Sequence, residues 1–173
     1  MTGLLQTTRL HLRELRDDDG DAAAICALLN SEGFLRYIGD RGVRTPAQGR
    51  QYIVDVVHAS YRANGFGMYA LERRSDGRWL GIAGLVRRDW LPCADLGYAL
   101  LPAAAGHGYA REAASALLQH ARNALAMAQL CAIVDPRNQR SIALLQHIGM
   151  QAQGGIVPPD GLQTLALYGC RLD

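Results

Sequence analysis

The chain has 173 residues, 49% of them hydrophobic and 20% charged, with a formal net charge of +2 at pH 7. That length and balance fit one globular domain, 1–173, with a core of its own, and they exclude a disordered chain. So small a charge gives no argument for a nucleic-acid partner, and no apolar run is long enough to cross a bilayer.

The chain opens without a charged segment followed by an apolar run. Its four cysteines, Cys26, Cys93, Cys131 and Cys170, show neither metal-ligand spacing nor a disulfide framework. The expectation is a cytoplasmic protein, monomeric or homodimeric, with no metal and no membrane partner.

Residues 8–16 alternate polar and apolar, the period-two pattern of a half-buried strand. Asp17, Asp18, Asp19 and Gly20 supply a turn with acidic helix-start residues, and Ala22 to Leu29 reads as helix. Residues 31–47 carry Gly33, Gly39, Gly42 and Pro46 and read as a loop or broken helix. Thr45-Pro46-Ala47-Gln48 sets an N-cap, a proline at the first helical position and a glutamine at the third. The helix it starts is expected to reach about Asn64, with Tyr52, Ile53, Val56, Val57 and Tyr61 on one side.

Strands at 67–74 and 79–87 flank a hairpin turn at Ser75-Asp76-Gly77, and a third strand spans 94–101. A helix follows from about Tyr109 to Met127, then a short buried strand from Leu130 to Val134. A helix from about Asn138 to Ile148 is stopped by Gly149, and two strands fill 151–173 around Pro158-Pro159-Asp160-Gly161. The order β-α-α-β-β-β-α-β-α-β-β predicts an α/β (α+β) chain built on a mixed sheet.

The stretch from Leu100 to Ala113 is a strand end, a glycine-containing turn and a helix start. Gly106 and Gly108 can take backbone conformations closed to residues with a Cβ, and let a ligand approach the main chain. The first N–H groups of the helix lack intrahelical partners, and with the positive end of the dipole they form an anion site. Charge-assisted bonds there contribute roughly 1.5–3 kcal/mol each, so a few can hold a pyrophosphate. A nicotinamide dinucleotide is the rival ligand, because Asp135 ends the next strand. The third glycine of that fingerprint, however, would fall at Arg111, and only one β-α-β unit is evident.

Asp95-Leu96-Gly97-Tyr98, then Pro102, Gly106-x-Gly108-Tyr109-Ala110 and Glu112-Ala113, resemble the GNAT superfamily of acyl-CoA-dependent N-acetyltransferases. Asn138-x-x-Ser141-x-x-Leu144-x-x-x-x-Gly149-Met150 resembles that family's second signature. Arg9-Leu10-x-Leu12-Arg13 fits the branch that acetylates N-terminal amines of ribosomal proteins. The resemblance implies a mixed, mostly antiparallel sheet of about seven strands flanked by about four helices. The strand holding Asp95 and the strand Leu130–Val134 would splay around the cofactor.

It also implies acetyl-CoA as co-substrate and a small-molecule amine or peptide N-terminus as acceptor. By position, the main chain of Leu100 and Leu101 would pair with the pantetheine arm. Amides of Gly106, His107, Gly108, Tyr109 and Ala110 would surround the pyrophosphate. Asn138 would contact the pantetheine or the acetyl-bearing end. The chain departs from the pattern at Ala103, where many relatives have Gln or Arg, and at Ala104 and Ala105, where the branch often has an aromatic pair. Those departures imply weaker cofactor binding or an adenine end held differently. Leu145 stands where many members place a tyrosine that protonates the leaving thiolate.

Acetyl transfer to an amine needs a neutral amine, a stabilised oxyanion and a proton for the thiolate. Asp95, in an apolar strand beside the cofactor site, is the candidate base, since desolvation raises a carboxyl pKa. Ser141 is the candidate donor to the thiolate, against a plain first-turn role bonded to Asn138. Tyr168 is a fallback acid. Phe34, Arg36 and Tyr37 are candidate acceptor-binding residues, with Arg41 and Arg44 beside them, and Trp90 is a pocket wall or a dimer contact. The absent tyrosine and the loop departures leave a non-catalytic acyl-CoA-sensing protein on the same fold as the alternative.

Overall fold

The computed structural model describes residues 4–173, so the first three positions of the expected domain lie outside it. One sheet of eight strands runs through the molecule in the order β1-β2-β3-β4-β5-β6-β8-β7. The strands are β1 Leu5–Gln6, β2 Leu10–Glu14, β3 Met68–Arg73, β4 Trp79–Val86, β5 Asp95–Leu100, β6 Gln129–Val134, β7 Gln151–Ile156 and β8 Leu165–Arg171. Every neighbouring pair is antiparallel except β5 with β6. The eighth strand, beyond the seven expected, is the two-residue β1 at the sheet edge.

Helices cover both faces. Helix α1 is Asp19–Leu29, α2 Glu32–Tyr37, α3 Pro46–Tyr52 and α4 Ala59–Asn64, with a π-helical segment Ile53–His58 joining α3 to α4. Helix α5 is Tyr109–Asn123 and α6 Gln139–His147. On one face Leu96, Leu117, Leu130, Ala132 and Leu145 belong to a core that includes the alanines of α5. On the other, Ala70 and Ile82 pack with Ile25, Leu28, Phe34, Ile53 and Val57. Along β5, alternation therefore sends Leu96, Tyr98 and Leu100 toward α5 and α6, and Asp95, Gly97 and Ala99 toward α1–α3.

Two expectations change. Residues 32–37 form a six-residue helix within the segment read as loop or broken helix; Ser31 gives it no side-chain cap, and the buried Phe34 anchors it instead. Val56 is 50% exposed, while Ile53 and Val57 are buried. The wider π-helical turn rotates Val56 out of the stripe that a 3.6-residue period assigns it. Thr45 and Gln48 make the expected reciprocal cap. Beneath α1, the buried Arg13 is bidentate to Asp21 at 2.7 and 2.8 Å and reaches Glu72 at 2.6 Å, tying β2, β3 and α1 together.

Candidate active site

Strands β5 and β6 meet at one register pair, Asp95 with Cys131, where the Cys131 N–H donates to the Ala94 carbonyl at 3.0 Å. Beyond it they part. Toward β4, the Leu101 N–H donates to the Leu80 carbonyl at 2.8 Å, and the Leu101 carbonyl accepts from Ala104 at 2.9 Å. Leu101 therefore lacks the free backbone expected of it. Antiparallel alternation instead turns the main-chain groups of Tyr98 and Leu100 into the gap. The main-chain groups of Leu100 are thus unpaired toward β6, as are those of Tyr98, while those of Leu101 are not.

At the open end, Gly106 has φ +83° and Gly108, capping α5, has φ +79°. Both lie in the left-handed region that favours glycine. The first turn of α5 leaves the N–H groups of Gly108, Tyr109, Ala110 and Arg111 without intrahelical acceptors. The loop is braced from the far edge of the sheet, a contact no local pattern announces. Arg9 Nη1 donates to the His107 carbonyl at 2.8 Å, its Nε donates to Glu112 at 2.7 Å, and its guanidinium lies 4.5 Å from the Tyr109 ring centroid. Burial alone would raise the Glu112 carboxyl pKa, but bonds from Thr7 and Arg9 hold it below the usual range. His107 turns its ring back on the loop, stacking on Tyr109 with centroids 5.8 Å apart.

Asp95 is 2% exposed at the vertex of the splay. Desolvation pushes its pKa up to about 6, against the pull of Arg88. The Arg88 Nε stands 3.3 Å from Asp95 Oδ1, yet the pair is not aligned as a hydrogen bond, and both atoms are buried without a partner. Arg88 also lies 5.9 Å from the Trp90 ring centroid, so Trp90 backs the carboxylate through the guanidinium.

On the other face of β5, the Tyr98 hydroxyl reaches α6 and sits 2.7 Å from Ser141 Oγ. Burial pushes the Tyr98 pKa up to about 12, with Ser141 opposing weakly. Asn138 caps α6 by accepting from the Ser141 N–H at 3.2 Å, leaving its amide N–H₂ for other partners. Leu145 is 1% exposed in the core, and Tyr168 is buried in the same core, on the face away from Asp95.

The acceptor candidates separate. Phe34 is 6% exposed and packs under the segment as core, with Arg41 5.7 Å from its ring centroid. Arg44 is committed to Asp40. Arg36 lies over Tyr37 at 5.1 Å, and both approach the end of β6. There Arg137, and more weakly Arg36, hold the Asp135 carboxyl below its usual range. Asp95 thus stands at the vertex where β5 and β6 part, the main-chain groups of Tyr98 and Leu100 run along the β5 edge beyond it, the Tyr98–Ser141 contact and the Asn138 cap lie on the α5–α6 face, and Arg36 and Tyr37 lie near the end of β6. Among the described residues no helix is long and apolar enough to cross a membrane.

A family model described as the acetyltransferase (GNAT) domain matches residues 9–151. An uncharacterized N-acetyltransferase of Bacillus subtilis, YoaA, is 28% identical over 89% of this chain and 86% of its own. The crystal structure of an acetyltransferase from Agrobacterium tumefaciens superposes with a TM-score of 0.77 at 27% identity, covering 96% of this chain and 92% of its own. RimL, a ribosomal L7/L12 alpha-N-protein acetyltransferase solved in complex with coenzyme A, shares the fold with a TM-score of 0.81 at 17% identity, over 98% and 97% of the two chains.

Proposed function

The chain belongs to the acetyltransferase (GNAT) family and is an N-acetyltransferase, and we propose that, as a single domain, it moves an acetyl group from acetyl-CoA to a primary amine by direct attack in a ternary complex. The observation that carries this is the parting of β5 from β6 beyond Asp95. It leaves a strand edge at one end and unpaired loop amides at the other. The fit to the cofactor rests on those groups. The N–H groups of the 106–110 loop would hold its pyrophosphate, Tyr98 and Leu100 would pair with its amide-bearing arm, and Asn138 would contact the end near the thioester.

Bound acetyl-CoA supplies the activated carbonyl; the protein's work is positioning and proton transfer. Asp95 faces the side of the sheet covered by α1–α3 and takes a proton from the acceptor amine. A carboxyl with a pKa of about 6 is largely ionised at neutral pH yet more basic than an exposed aspartate. Ser141 would donate a hydrogen bond to the departing sulfur, which leaves as a thiolate and takes its proton from solvent, and Tyr98 orients Ser141 by donating to its Oγ.

The acceptor is a small-molecule amine or a peptide N-terminus entering past Tyr37 and Arg36. RimL acts on a protein α-amine, and that class leads. The test is release of free thiol from acetyl-CoA across α-amino peptides, polyamines, amino acids and antibiotic amines. Turnover with at least one class is expected. Tight cofactor binding without turnover on any of them would overturn the catalytic assignment of Asp95 and Ser141.

A further inference from the structure

Behind the 106–110 loop, on the side away from β6, is a cavity of about 230 Å³. Ala103, Ala104 and His107 form its loop wall, and Arg73, Arg78 and Trp79 form the opposite wall. The alanines are too short to fill it. Its charged lining is all cationic, with the Tyr109 hydroxyl and the His107 ring, which can donate or accept, beside it. Trp79 Nε1 is buried without a hydrogen-bond partner. Arg73 is fixed by a bidentate pairing with Asp76 at 2.9 and 2.5 Å. Among the described residues no acceptor pairs with the Arg78 guanidinium, whose backbone alone is anchored, its N–H donating to Asp76 at 3.1 Å. Asp76 is the nearby carboxylate, and Arg73 already neutralises it. A cavity lined by two arginines, one of them the exposed Arg78 with its guanidinium unpaired among the described residues, and by an unpartnered indole N–H favours an anion, and a guanidinium fork matches the oxygens of a phosphate monoester.

The cavity shares a wall with the loop whose amides face the cofactor's pyrophosphate, so a second phosphate of the same molecule lies within reach. We propose that this cavity binds the ribose 3′-phosphate of the cofactor, with Arg78 and the Trp79 indole N–H as its contacts. This rests on the acetyl-CoA reading. Arg140 is the competing cation, since its Nη2 would lie 3.8 Å from a Cβ placed on Gly106, at the other flank of the loop.

The test is calorimetric titration with CoA and with 3′-dephospho-CoA, on the native protein and on Arg78→Ala, Trp79→Phe and Arg140→Ala, with thermal melts to verify folding. The native protein is expected to prefer CoA by about tenfold, the worth of one charge-assisted contact. Arg78→Ala should lose most of that preference while keeping its affinity for 3′-dephospho-CoA, and Trp79→Phe should lose part of it. A native protein indifferent to the 3′-phosphate overturns the proposal and leaves the acetyltransferase reading intact. So does a preference that survives Arg78→Ala and vanishes in Arg140→Ala. Failure of the native protein to bind either molecule overturns both.

Discussion

The Tyr98 hydroxyl and Ser141 Oγ stand 2.7 Å apart across 43 positions of sequence, joining β5 to the first turn of α6. Ser141 is therefore held in one orientation, and its O–H is free to hydrogen-bond the departing thiolate when Tyr98 is the donor. Removing the hydroxyl with Ser141→Ala is expected to lower kcat on the order of 100-fold, the scale of one positioned hydrogen-bond donor to developing negative charge, and to leave cofactor affinity nearly unchanged. Tyr98→Phe should lower kcat less, because Ser141 persists but is less well oriented. Since burial pushes Tyr98 up to about 12, the Ser141→Ala deficit should be the same at pH 6.5 and pH 9. Steady-state kinetics at those two pH values decide it, and an alanine variant with native kcat removes Ser141 from the chemistry.

Asp95 supplies a pH signature of its own. Its carboxyl, pushed to about 6 by desolvation, ionises as the pH rises through that value, so kcat/KM is expected to climb across pH 5–7. An acceptor α-amine with a pKa of roughly 7.7–8.0 sheds its proton unaided at pH 9. Asp95→Asn should therefore lose more activity at pH 7 than at pH 9. Equal losses at both values would remove Asp95 as the base.

The same burial has a cost in stability. The folded-state pKa is raised from 3.8 to about 6, so between those values the folded chain binds more proton than the unfolded one. Stability from this group is complete below pH 3.8, falls as the pH rises to 6, and is flat above it. The ionised carboxylate then opposes folding by up to roughly 3 kcal/mol. An asparagine carries no such penalty. The melting temperature of Asp95→Asn relative to the native protein should rise between pH 4.5 and pH 7, as followed by circular dichroism. A relative melting temperature that falls over that interval would mean Arg88 holds the carboxylate better than the unpartnered Oδ1 indicates.

Elements with strong local signals were legible in the sequence, and contacts between distant segments were not. Thr45-Pro46-Ala47-Gln48 names its helix start because capping is a matter of adjacent residues. Gly106 and Gly108 name their turn because a positive φ selects glycine. Helix α2 has no side-chain cap and exists because Phe34 is buried against the α1–α3 layer, which period and propensity do not report. A 3.6-residue period misplaces Val56 because a π-helical turn changes the count of residues per turn without changing composition. For the proposed site, the resemblance points to the strand and the loop. The choice between Leu101 and Tyr98 as the free backbone needed the β4–β5 register, and the bracing of the loop by Arg9 joins residues about 100 positions apart.

The loop itself gives the most direct test of where the cofactor sits. Gly108 has φ +79°, a conformation that side-chain-bearing residues adopt only with strain. A Cβ placed there would stand 3.4 Å from the Arg9 guanidinium, so a large side chain at this position crowds the Arg9 brace that holds the loop amides in place. Gly108→Trp is expected to weaken CoA binding by at least about 100-fold, since several charge-assisted contacts are lost together. Strain alone must be separated from blockage, and Gly65 provides the control. It has φ +75° with open space around it at the end of α4, away from the cleft. Gly65→Trp should lose comparable stability and bind CoA as the native chain does. If the two tryptophan variants bind CoA alike in calorimetry, the pyrophosphate does not rest on the amino end of α5.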